Sequence, residues 1–167
     1  MRVYITLLGR SVWALLNSYY AVLKEKGYGP DVIYVIGEDL FGESMQKAVK
    51  GLEILSEGFG ITPAIEEIVV REARFVEAGT RISSLIRGLR ESGCSIAIDI
   101  TPARKALVAA VLLSLSRIRV DHVFYLAIRE IKGMNLPYEM IPKQMQSLKD
   151  FEEEVRRKEG ALAGGNH

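Results

Sequence analysis

The stretch from Ser95 to Leu115 does most to limit what this chain can fold into. Ile96, Ala97 and Ile98 make a short apolar run that ends in a lone carboxylate, Asp99, and reads as a buried strand. Thr101 and Pro102 follow, a hydroxyl at the N-cap position of a helix and a proline at its first position. From Ala103 the helix is apolar on nearly every side, through Leu107, Val108, Val111, Leu112 and Leu113. A surface helix carries a polar stripe, so this one is expected to be covered twice, by its own sheet and by a second copy of the chain. A charge at Val111 is then expected to split the pair if that side chain faces the partner.

The same strand-then-helix unit recurs along the chain. Apolar, β-rich runs at residues 3–8, 31–36, 64–70, 95–99 and 122–128 read as strands, and helical spacing at 12–26, 43–56 and 77–91 fills three of the gaps. Gly27, Gly29 and Pro30 stop the first helix. Alternation of this kind specifies an α/β fold, Rossmann-like and doubly wound, with a mostly parallel sheet in the order three-two-one-four-five and helices on both faces. The tail changes character. Residues 138–141 read as a short edge strand, residues 142–158 as a polar helix opened by Pro142, and residues 160–167 as a frayed end. The division is therefore a Rossmann-like domain at 1–141 and a C-terminal helix and flexible tail at 142–167.

With 167 residues there is room for one full core and not for two ordinary domains. Twenty-two Lys and Arg against 21 Asp and Glu leave a net charge of +1, so no global field gathers DNA, duplex RNA or a membrane surface. Any basic site must be local. The chain opens on strand-like sequence with no signal peptide and no run long enough to span a bilayer, so the cytoplasm is the expected location. A single cysteine, Cys94, leaves no internal disulfide and no cysteine-built zinc site, and no carboxylate cluster has metal-ligand spacing. Three Asn, three Gln and one Cys are few thermolabile residues, a weak sign of a hot source.

In an open α/β sheet ligands sit beyond the carboxyl ends of the strands, where the strand order reverses. Two segments meet there: Gly9, Arg10 and Ser11 after the first strand, and Thr101, Pro102, Ala103, Arg104 and Lys105 after the fourth. Arg104 and Lys105 place two cations at the positive end of a helix dipole, an arrangement that suits an anion filling the helix N-terminus. Arg71, Arg74 and Arg129 also follow strand ends, so the rim of loops reads as basic and suited to a polyanion. Neither G-x-G-x-x-G nor G-x-x-x-x-G-K-[ST] occurs, which excludes the dinucleotide fingerprint and the P-loop. Asp99 is expected to orient its turn, His122 to be structural, and Trp13 to be a core or interface residue.

These two loops resemble those of CARF domains, the CRISPR-associated Rossmann-fold sensors of type III defence systems. The resemblance lies in Leu8, Gly9, Arg10 and Ser11 and, more specifically, in Asp99, Thr101, Arg104 and Lys105, which match the family's D-x-T-x-x-R-K signature. It covers about residues 1–130. Where members often have glycine before the Arg-Lys pair, this chain has Pro102 and Ala103. The resemblance implies a homodimer that binds cyclic oligoadenylate in a two-fold pocket, with Gly9, Arg10, Ser11, Arg71, Thr101, Pro102, Ala103, Arg104 and Lys105 as ligand contacts. It further implies two roles without cofactor or metal. One is a ring nuclease in which Ser11 orients the attacked phosphodiester and Lys105 stabilises its charge. The other is a non-catalytic sensor or sequestering protein.

Overall fold

The computed structural model describes residues 1–116, 118–129 and 135–163. Five parallel strands, β1 (Arg2–Leu8), β2 (Val32–Glu38), β3 (Ala64–Val70), β4 (Ser95–Asp99) and β5 (His122–Ile128), alternate with helices α1 (Val12–Ala21), α2 (Gly42–Gly58), α3 (Phe75–Glu91) and α4 (Lys105–Ser114). A sixth strand, β6 (Gln146–Asp150), pairs antiparallel with β5, and α5 (Phe151–Ala163) follows. The order is β3-β2-β1-β4-β5-β6, so the chain reverses direction across the sheet between β1 and β4, as the sequence predicts. α1 continues through a π-helical turn at Val22–Lys26 and stops at Gly27, whose φ of 59° suits glycine.

Both faces of the sheet are covered, which is why the central strands are apolar without alternation. Val3, Ile5 and Leu7 of β1 join Ile96 and Ile98 of β4 beneath α3 and α4, packed on Ile82, Ile86, Leu107 and Val111. Tyr4 and Leu8 point the other way, with Ala97 and Phe124, against Leu15 and Tyr19 of α1 and Met45 and Leu52 of α2. α3 and α4 approach closely at Gly79, where an added Cβ would lie 2.6 Å from the Ala110 carbonyl oxygen.

Four expectations need correction. Residues Tyr138–Met140 form a 3-10 turn, and the edge strand is β6, which begins five residues after Ile141. Pro142 opens only a 3-10 turn at Lys143–Met145; the polar helix begins at Phe151, after Asp150 has capped the sheet edge by accepting from His122 Nδ1 at 2.6 Å and the Val123 amide at 3.3 Å. Val111 is fully buried against the sheet, so it does not face a partner. The outward residues of α4 include Leu112 and Leu113, 43% and 77% exposed. Trp13 is no core residue either: it is exposed and lines a groove of about 320 Å³ with Leu16, Tyr20 and Ile54. Among the described residues no helix is long and apolar enough to cross a membrane.

Candidate functional site

β1 and β4 are neighbours in register, Thr6 opposite Asp99, so their carboxyl ends release the two predicted loops side by side. The loops touch. Gly9 is buried, and a Cβ added there would sit 2.0 Å from the Pro102 carbonyl oxygen. Glycine is required here by that close approach, and it brings the start of α1 against the turn that leads into α4.

The turn after β4 is fixed from below. Asp99 is fully buried and accepts from the Tyr4 hydroxyl at 3.0 Å, the Ser18 hydroxyl at 2.9 Å and the Thr101 amide at 3.0 Å. Asp99 thus orients its turn. Thr101 does not cap α4. Its Oγ1 accepts from the Leu126 amide of β5 at 2.9 Å and lies 2.9 Å from Ser18 Oγ, so the hydroxyl ties the turn to the next strand. Pro102 is buried, Ala103 packs on the core, and α4 begins only at Lys105, with Arg104 at its cap position making no side-chain cap bond. The predicted two cations in the first turn therefore become one at the cap and one at the first helical residue.

Burial pushes the Asp99 carboxyl up from its ordinary value, against the pull of its hydrogen-bond donors at Thr101, Ser18 and Tyr4. Burial and the neighbouring Asp99 charge likewise hold the Tyr4 hydroxyl well above the usual tyrosine range. A carboxyl whose folded pKa is raised favours the fold below its unfolded pKa and loses that contribution as pH rises through the folded value. Asp99→Asn removes this dependence. Denaturant melts from neutral pH down to about pH 4 should show the wild type gaining stability relative to Asp99→Asn as pH falls. An unchanging difference would refute the shift.

The remaining predicted residues divide into two groups. Ser11 caps α1, its Oγ accepting from the Ala14 amide at 3.1 Å; the hydroxyl proton stays available to an anion. Arg10 and Lys105 are exposed, and their side chains make no hydrogen bond or ion pair among the described residues. These three gather at the two touching loops. Arg71 follows β3, with β2 lying between that strand and β1, and its loop meets the site through Glu38, which accepts from both the Ala73 amide and Arg104.

Arg104 has a partner that the sequence reading missed. Its Nη1 donates to Glu38 Oε1 at 3.1 Å and Oε2 at 3.2 Å, and its guanidinium carbon lies 5.3 Å from the centre of the Phe75 ring. Glu38 ends β2 and is 3% exposed. Asp39, beside it, accepts from the Glu72 amide at 3.0 Å. The β2–β3 side of the rim thus carries its own acids, and the basic region is narrower than the loop arginines suggest. A buried carboxylate at a strand end has no signature in sequence beyond the glutamate itself.

No protein-family model and no curated protein sequence matches the chain. Solved structures do. A type III CRISPR defence DNA nuclease activated by cyclic oligoadenylate aligns over 76% of this chain with a TM-score of 0.54 and 15% identity. Can2 from Sulfobacillus thermosulfidooxidans, in complex with cyclic tetra-adenylate, aligns over 75% with a TM-score of 0.54 and 15% identity. Enterococcus italicus Csm6, bound to a cyclic hexa-2′-fluoro-hexa-dAMP, aligns over 95% with a TM-score of 0.61 and 13% identity. The chain spans 19%, 32% and 45% of the length of those three proteins.

Proposed function

We propose, from the premise that this chain has the CARF-domain fold, that it binds cyclic oligoadenylate, cyclic tetra-adenylate first, and cleaves the ring without metal, in the cytoplasm. The observation that carries this reading is the contact of Gly9 with Pro102, which brings the loop of Arg10 and Ser11 against the turn before Lys105, at two adjacent helix starts. Backbone amides and unpaired cations converging at a helix start suit phosphate. The binding unit is a homodimer with α4 near the two-fold axis, because the exposed Leu112 and Leu113 would otherwise remain an apolar patch.

Cleavage in this reading uses the ligand's own chemistry. A ribose 2′-hydroxyl gives up its proton to water and attacks the adjacent phosphorus in line. The bond to the 5′-oxygen breaks, that oxygen takes a proton from water, and the product carries a 2′,3′-cyclic phosphate. Ser11 donates its hydroxyl proton to a non-bridging oxygen while still accepting from Ala14. Lys105 offsets the charge that gathers on the phosphoryl oxygens.

Radiolabelled cyclic tetra-adenylate incubated with the protein and EDTA tests the reading. Linear fragments ending in 2′,3′-cyclic phosphate are expected, and intact ligand after long incubation at elevated temperature would exclude catalysis. Ser11→Gly, which costs the helix cap only a few tenths of a kcal/mol, should lower turnover more than affinity. Lys105→Ala should lower both, with binding weakened by roughly 1–3 kcal/mol. The second reading is a non-catalytic sensor or sequestering protein acting with a separate effector; ligand that binds and is recovered uncleaved in the same assay would favour it.

A further inference from the structure

We infer that Glu38 is a positioning residue for anion recognition: it fixes the Arg104 guanidinium at the site and ties it to the β3–α3 loop. The inference rests on the reading that the two loops bind cyclic oligoadenylate. Its own grounds are geometric. Glu38 sits at the end of β2, its side chain 2% exposed, and Arg104 is its cationic partner through Nη1. Among the described residues, the Arg104 Nη2 and Nε donate to no protein acceptor, and the side chain is 35% exposed. One edge of the guanidinium is therefore held and the other remains for an incoming oxygen. The Phe75 ring lies against the guanidinium at the start of α3.

A buried carboxylate whose only cation departs is left ionised in a poor solvent, which is strongly unfavourable. Arg104 cannot therefore swing out to a ligand and leave Glu38 behind; it meets the ligand from where Glu38 holds it. The same carboxylate also accepts from the Ala73 amide at 3.2 Å. Ala73 has φ of 56°, a left-handed conformation that costs a non-glycine residue energy and persists only where neighbours enforce it. Glu38 is one of those neighbours, so the guanidinium and the strained loop at residues 71–74 share one anchor. Net charge fits this arrangement. Glu38 cancels Arg104 in the unbound protein, leaving Arg10 and Lys105 as the uncompensated cations at the two loops.

Two measurements on the full chain test the inference. In the unbound protein, the Arg104 Nε–H resonance should report slow guanidinium rotation, becoming fast in Glu38→Gln. With cyclic tetra-adenylate as the probe, Glu38→Gln should weaken binding about tenfold, or about 1.4 kcal/mol, and the same change in an Arg104→Ala background should alter it less than twofold. A purely structural glutamate would cost the same factor in both backgrounds, and that result overturns the inference. So does a guanidinium that rotates as fast in the wild type as in Glu38→Gln. A wild type that binds no cyclic tetra-adenylate while Arg104 stays immobile overturns the reading beneath it instead. Should Glu38→Gln fail to fold, hydrogen exchange of the wild type decides: the Ala73 amide should gain protection on ligand binding, and unchanged exchange overturns the tie to the loop.

Discussion

Gly9→Ala is expected to lose about 100-fold in ring cleavage while leaving the sheet folded. The added methyl would lie 2.0 Å from the Pro102 carbonyl oxygen, a main-chain atom that no rotamer change can move. The two loops must separate, and overpacking of this kind costs typically about 1–3 kcal/mol. Separation by the order of an ångström also pulls Ser11 away from Lys105, and misplacement on that scale costs roughly 100-fold in rate. Gly42→Ala is the control. Gly42 is helical, with nothing within 4 Å of an added Cβ, so that variant should melt and turn over like the wild type. Single-turnover assays beside thermal melts separate lost geometry from lost stability, and wild-type turnover by Gly9→Ala would mean that the loops are not joined as described.

Leu113→Glu is expected to divide the proposed dimer. Leu113 projects from α4 with 77% of its surface exposed in the single chain. Burying a leucine is worth about 1.5–3 kcal/mol, and a two-fold axis counts it twice, so the dimer constant should weaken on the order of 100-fold or more. Sedimentation at micromolar concentration reads the result directly. Ring binding should fall with it, because the proposed pocket draws on both copies. Val111→Glu makes the contrast: its side chain is fully buried against the sheet, so that variant should unfold rather than dissociate. A wild type that is monomeric under the same conditions would remove the dimer from the proposal.

Most of the sheet was legible because its central strands carry their burial in their own composition. Val3 to Leu8 and Ile96 to Ile98 are apolar without alternation, which suits strands covered on both faces. β6 was not legible. Gln146, Ser147, Leu148, Lys149 and Asp150 form an edge strand whose polarity reads as helix or loop, and its pairing comes from β5 rather than from its own pattern. The start of α4 failed for a related reason. Thr101 and Pro102 have the local chemistry of a helix start, but the Thr101 hydroxyl is taken by the Leu126 amide, 25 residues away, and the helix opens later. At the site, Ser11, Gly9 and Lys105 could be placed from the strand ends alone. The hold of Glu38 on Arg104 joins positions 66 residues apart through a carboxylate whose burial only the packed structure reveals.

Gly79 has a bearing on how this chain can diverge. The atom facing it most closely is the carbonyl oxygen of Ala110, 2.6 Å from where a Cβ would be. Every amino acid at position 110 carries that oxygen, so no substitution there can make room for a larger residue at 79. The exposed Ala106 and Ala109 of α4 can drift, whereas the spacing of the helix from α3 is written in main-chain atoms. Lineages descending from this fold are therefore free to exchange partners across α4 but are held to glycine beneath it.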